Sequence, residues 1–363
     1  MSMKKRIGTS SLFPKSLIAA VCLLFGLMVP TVVVAVDTWE VVGTSCFSDG
    51  VVMSTSLAFS DSTPYVAYQD FGNSQKATVM KFNGTAWEAV GTKGFSDGLT
   101  NYSILAFYNA TPYLAYMDGA NSFKATVMKF NGTAWEAVGT KGFSDGSATD
   151  MSLAFSNSTP YVAYKDWANS NKATVMKFNG TAWEAVGTKG FSDGEISFTS
   201  LAFSNSTPYV AYQDGGNSKK ATVMKFNGTA WEAVGTAGFS AGEARYTSLA
   251  FNGSTPYVAY ADEAKNPFKA TVMKFNGTAW EAVGTEGFSD WYVEYNSLAF
   301  YNATPYLAYQ DGGCDQKATV MKFGGAPAPA PIPTLNEWGL IILSVLLAGI
   351  TYIVIRRRKT ASV

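Results

Sequence analysis

The chain has 363 residues, 47% apolar and 15% charged, with equal numbers of basic and acidic side chains. That balance averages unlike regions: basic ends enclose a body, residues 37–323, holding 19 basic and 26 acidic side chains. An acidic body excludes a nucleic-acid binder, which needs a basic footprint. With no histidine in the chain, the commonest general base and metal ligand is missing.

The N-terminus reads as a signal peptide over residues 1–35. Lys4, Lys5 and Arg6 precede an apolar run from Leu17 to Val29, and Val33-Val34-Ala35 offers a cleavage site before Val36. The body, residues 36–323, then repeats. Trp39, Trp87, Trp135, Trp183 and Trp231 stand 48 residues apart and Trp280 follows after 49, a period that suggests propeller blades. Each unit holds four apolar pieces rich in Val, Tyr, Phe and Thr, which is strand chemistry.

Asn-Gly, as at Asn83-Gly84, is a strong hairpin signal and joins KATVMKF to WEAVG in one sheet. The GFSDG stretch is then the crossover to the next blade. Each blade runs LAF innermost, PYVAY second, ATVMKF third and WEAVG outermost. The chain accordingly begins with a lone outermost strand, Trp39 to Gly43, and its last blade stops at Phe323 without one. The expected fold is all-β: a closed six-bladed propeller of four-stranded blades, with residues 37–43 completing the sixth. Closure protects sheet edges and blade faces that an open array leaves bare.

Cys46 and Cys314 each break the repeat consensus at the same end of the blade built from both chain ends. An exported protein meets an oxidising compartment, so a Cys46–Cys314 disulfide is expected. Across so long a loop it stabilises by roughly 4–5 kcal/mol in the chain-entropy model.

Comparison of the six units separates two faces. Turns between first and second strands and the Asn-Gly-Thr turns barely change, whereas the crossovers run VVMS, LTNY, SATD, EISF, EARY and YVEY. The last residues of those sets, Ser54, Tyr102, Asp150, Phe198, Tyr246 and Tyr295, enter the innermost strands near the channel mouth. Phe71, Phe123, Trp167 and Phe268 on the second–third turns, and Trp291 on a crossover, add aromatics to the same face. Such clusters suit protein contacts or stacking on sugar rings. Arg245, the only arginine of the body, and Glu294 belong to this face as well.

Asp70, Asp118, Asp166, Asp214, Asp262 and Asp311 follow each second strand. Repeated carboxylates can hold calcium, but an Asx turn accounts for them; no metal or cofactor is expected. Six like acidic positions also make poor catalysts, because catalysis needs groups made different by their surroundings.

After Phe323, Gly324 to Pro331 forms a stiff linker. Ile332-Pro333-Thr334-Leu335 follows, then Trp338-Gly339, an apolar run from Leu340 to Ile355, and Arg356-Arg357-Arg358-Lys359. Residues 340–355 are expected to form a transmembrane helix, with the basic cluster cytoplasmic. Over residues 332–359 this tail resembles the IPTL-CTERM sorting signal of Gram-negative bacteria. The resemblance implies recognition by an exosortase-type membrane protease, cleavage near the motif, and transfer of the body to the envelope or an extracellular matrix.

The expected function is a non-enzymatic surface protein that binds envelope or extracellular glycan or protein through its variable face. The alternatives are a purely structural matrix component, and a hydrolase or lyase at the channel mouth using Asp150, Glu294 and Arg245.

Overall fold

The computed structural model describes residues 42–44, 46–314 and 316–324. The chain separates into residues 1–42 and 43–363. The second unit holds six sheets arranged as the blades of an all-β propeller, five of four strands and one of three.

Blade one runs Val52–Ser60, Thr63–Asp70, Lys76–Phe82 and Trp87–Ala89, each antiparallel to the one before. Blades two to five repeat this from Thr100, Ala148, Ile196 and Ala244, and blade six comprises Val293–Tyr301, Thr304–Asp311 and Lys317–Lys322. This is the strand order and register expected from the Asn-Gly hairpins. The turn itself differs in detail. Gly84 is left-handed at φ +97°, and Asn83 is absent from the left-handed residues. Its amide oxygen instead accepts from the backbone N–H groups of Thr85 and Ala86 at 3.0 and 2.9 Å, an Asx cap.

The core lies between blades, not within them. Five clusters fill the five junctions from blade one to blade six. At the first junction, Ala67, Val79 and Val90 meet Leu105, Leu114 and Met128. Phe107 packs edge-on against Tyr65 of the preceding blade, centroids 4.8 Å apart. Nearer the rim, Phe95 of the crossover stacks on Trp135 at 4.4 Å, and the Trp135 Nε1–H donates to the Val90 carbonyl at 2.7 Å. Only glycine fits at position 91 beneath that indole. Its φ is +76°, and a Cβ would lie 2.9 Å from Phe130 and 3.3 Å from Trp135.

The crossover serine is structural. Ser96 Oγ accepts from the Ala77 N–H at 2.9 Å and donates to the Gly98 carbonyl at 2.7 Å, which satisfies a third-strand donor beyond the reach of the short outer strand.

The seam between blades six and one is unlike the others. Leu105 and its counterparts in blades three to six are buried, whereas Leu57 is 60% exposed and Phe59 57%. Phe323 on blade six is 52% exposed. Among the described residues nothing covers these faces. The strand expected to close the ring, residues 37–43, lies outside the described residues except for Val42 and Gly43. So do the signal peptide, the linker beyond Gly324, the sorting signal and the expected helix 340–355. No described helix is long and apolar enough to cross a membrane.

Candidate functional site

The six variable residues share one backbone peculiarity. The pairing of each innermost strand with the second slips at the same place, between Met53 and Ser56 in blade one and between Glu294 and Ser297 in blade six. The bulged residues are Ser54, Tyr102, Asp150, Phe198, Tyr246 and Tyr295, all left-handed with φ between 47° and 56°. None is glycine, so each carries a conformational cost of about 1–2 kcal/mol. A bulge frees its side chain from the alternating pleat and re-aims it. Here it takes one residue per blade out of the pleat, and of these Tyr246 still packs against the core between blades five and six.

Neighbouring bulges are tied together. The Phe198 N–H donates to Asp150 Oδ1 at 3.2 Å, and the Tyr102 N–H donates to Ser54 Oγ at 3.3 Å. Ser54 Oγ also donates to Asn101 Oδ1 at 2.6 Å. The Thr199 and Thr247 hydroxyls donate to the carbonyls of Asp150 and Phe198. Three rings form a row, with centroids 4.6 Å apart for Phe198 and Tyr246 and 4.8 Å for Tyr246 and Tyr295.

Acidic groups flank this row. Burial, then Glu294 and Tyr295, pushes the Tyr246 hydroxyl up to about 12. Tyr102 is raised by burial and by the nearby Asp150 and Tyr295. Burial likewise raises the Asp150 carboxyl, opposed by the Phe198 N–H, by Lys165 and by Thr149. Tyr102, Asp150, Phe198, Tyr246, Glu294 and Tyr295 are thus brought to one locus.

Arg245 borders the row and opposes the rise of the Tyr246 hydroxyl; the other candidates lie elsewhere. Arg245 is engaged: its guanidinium lies 4.3 Å over the Phe268 ring and pairs with Glu243 at 3.4 Å. Trp291 rests on the second–third turn of its own blade, its ring against Gly313 with no room for a Cβ between them. Phe71, Phe123 and Trp167 stand exposed on the same kind of turn, away from the row. Cys46 is exposed; the side chain of Cys314, its expected partner, lies outside the described ones. Asn101, which bonds Ser54 and the Tyr102 N–H, carries no sequence signal because its position varies freely among the repeats.

Asp118, Asp166 and Asp214 each cap their turn with three hydrogen bonds, whereas Asp70 bonds Asn73 and Thr78 through Oδ2 and its buried Oδ1 has no partner. Asp118 accepts from the Ala120 N–H at 3.0 Å, Asn121 Nδ2 at 2.9 Å and Thr126 Oγ1 at 2.8 Å. Among the described residues no cluster of acidic, cysteine or histidine side chains is arranged to hold a metal ion.

Comparison with known proteins adds a family match for the tail and a likeness for the body. Residues 330–359 match the IPTL-CTERM motif. No curated protein sequence matches the chain. Among solved structures, the SapL1 lectin in complex with alpha methyl fucoside is 14% identical, with a TM-score of 0.50 over 76% of this chain and 96% of that one. AofleA from Arthrobotrys oligospora is 10% identical, with a TM-score of 0.50 over 74% of this chain and 82% of that one. A mutant alpha-l-arabinofuranosidase from Fusarium graminearum, in complex with an iminosugar inhibitor, is 13% identical, with a TM-score of 0.43 over 77% and 94%. At these identities the likeness is one of fold.

Proposed function

We propose that this chain is an exported, envelope-sorted surface protein whose propeller binds glycan or protein at the mouth of its variable face, without catalysis. The observation that carries the reading is the row Phe198, Tyr246 and Tyr295, raised on left-handed bulges and flanked by Asp150 and Glu294. Rigid aromatic rings beside acceptor groups suit either a sugar face or a protein side chain. The test compares the wild type with the triple variant Tyr102→Ala, Tyr246→Ala and Tyr295→Ala on a glycan array and on isolated matrix. Loss of retention supports the reading. Unchanged adhesion with normal surface assembly favours a structural component.

The tail match supports sorting by an exosortase-type membrane protease, with residues 340–355 spanning the inner membrane and 356–363 cytoplasmic before processing. Peptide mapping of the surface-exposed form should end near Ile332–Leu335; an intact Arg356–Lys359 cluster on that form would overturn it.

We also infer that residues 37–43 close the ring. A cleft of about 270 Å³ beside blade six is lined by Val283, Gly284, Phe288, Met321 and Phe323. Val234, Gly235, Phe239 and Phe275, the equivalents of four of these one blade earlier, surround Trp280. Trp39 is the tryptophan left to fill it, and the Cys46–Cys314 bond would then clasp the same blade.

A further inference from the structure

The opposite face, built from the turns that hardly change, carries a polar device of its own. In blade one Tyr65 lies across from Lys81, and Lys81 across from Glu88. Lys81 Nζ pairs with Glu88 Oε1 at 3.1 Å, and Asn83 Nδ2 donates to Glu88 Oε2 at 3.1 Å. The same Tyr–Lys–Glu–Asn row recurs in blades two to five, with lysine–glutamate distances of 3.2 Å and asparagine–glutamate distances of 2.9–3.1 Å. The carboxylate of Glu184 is held below its usual range by Asn179 and then Lys177.

Stability does not account for this repetition. These pairs are solvent-exposed, and exposed ion pairs add little to folding. The turn chemistry of Asn-Gly-Thr needs neither the lysine nor the tyrosine. Yet the row is identical in five blades, while the crossovers of the other face differ in all six.

The rows meet in clefts. Between blades two and three a cleft of about 380 Å³ is lined by Tyr113 and Lys129 on one side and by Thr159, Tyr161, Lys177 and Asn179 on the other. That is within the ~300–1,000 Å³ of small-molecule sites. The cleft offers ammonium and amide donors, hydroxyls and tyrosine rings. Each lysine charge is already balanced by its own glutamate, so an anionic group gains little there. A neutral ring bearing several hydroxyls satisfies the donors and acceptors and lays its apolar face on a tyrosine.

We propose that the four clefts between blades one to five are equivalent sites for a neutral saccharide unit, making this face a multivalent glycan binder distinct from the variable channel mouth. Blade six lacks the asparagine, with Gly324 following Phe323, so the cleft it shares with blade five is incomplete. Weak single sites gain about 10²–10⁴ in retention on a polymer that engages several together.

The test soaks crystals of the exported chain with neutral methyl glycosides (gluco, galacto, manno and fuco) and with methyl glucuronide, and measures retention on immobilised neutral polysaccharide. A neutral glycoside should occupy about four clefts per chain. Lys177 lines two clefts, so Lys177→Ala should leave about two occupied. Lys81 lines one, so Lys81→Ala should leave about three. Retention should fall about tenfold or more for Lys177→Ala at an unchanged melting temperature, and Lys177→Gln, which keeps the stem, should behave alike. Tyr246→Ala should leave all four clefts filled. Empty clefts with every neutral glycoside, occupancy by the glucuronide alone, or a single site lost with Tyr246→Ala would each overturn the proposal; the last would leave the channel-mouth reading standing.

Discussion

The Trp135 indole and the Val90 carbonyl are joined across 2.7 Å, fastening the outermost strand of blade two to the end of blade one. Trp183, Trp231 and Trp280 make the same bond to Val138, Val186 and Val234. Trp135→Phe keeps the aromatic stack on Phe95 but leaves that carbonyl without its donor, and should cost about 1–2 kcal/mol. Trp135→Ala removes the stack too and should cost about 3–5 kcal/mol. Urea unfolding of the two variants, compared through their midpoints at constant slope, checks the difference.

Asp118 is fully buried and accepts three hydrogen bonds. Asp118→Ala strands the donors of Ala120, Asn121 and Thr126 and should destabilise by about 2–4 kcal/mol. If these aspartates were calcium ligands instead, chelation of the wild type would lower its melting temperature. The turn-cap reading expects chelation to have no effect.

The bulge residues separate stability from binding. Tyr295 is left-handed and 67% exposed. Tyr295→Gly relieves the φ cost but frees the unfolded chain, so stability should stay within about 1 kcal/mol of the wild type. Retention on the matrix should nevertheless fall. A large loss of stability would show that the ring is a packing element rather than a contact residue.

Asp150 should leave a signature in pH. Burial raises its carboxyl above the ordinary 3.8. The folded state therefore holds this proton more tightly than the unfolded chain does, and stability falls as pH rises from near 4 through the raised value. Asp150→Asn should flatten that part of the curve and be the more stable protein at neutral pH. Parallel melting curves from pH 3.5 to 7 provide the check; a wild type that gains relative to the variant as pH rises would show that the carboxylate is favoured in the fold.

Closure by the N-terminal strand is tested by Trp39→Ala. With the cleft at Val283, Phe288 and Phe323 vacated, the variant should lose about 3–5 kcal/mol and associate through its bare seam. Thiol titration of the unfolded, unreduced wild-type mature protein should find no reactive group. Two reactive thiols would rule out the Cys46–Cys314 clasp.

Strand order, blade boundaries and the two unlike faces are readable from the sequence because they rest on local signals: the spacing of Trp87 and its copies, the Asn-Gly turns, and short β-rich runs. The Asn83 cap is not, since Asn-Gly permits a two-residue turn with both residues left-handed while the chain uses asparagine as a side-chain acceptor. The bulges are invisible because left-handed conformation usually advertises itself through glycine or asparagine, and Tyr102, Asp150 and Phe198 are neither. Arg245 looks available for an anionic ligand in the sequence. Its partners, Glu243 two residues away and Phe268 on the facing turn, emerge only when the crossover and the turn are brought side by side. The clefts of the opposite face are hidden for a related reason: turn chemistry alone explains repetition there, and the meeting of Lys129 with Lys177 needs two blades in register.

The bulge has one consequence that reaches past any single ligand. Because Ser54, Tyr102, Asp150, Phe198, Tyr246 and Tyr295 sit outside the alternating pleat, five of them stand apart from the inter-blade clusters, while Tyr246 packs against the core between blades five and six. At those five positions the channel rim can be respelled, one letter per blade, with the sheets left as they are. A lineage carrying this scaffold can change what it grips without relearning how to fold.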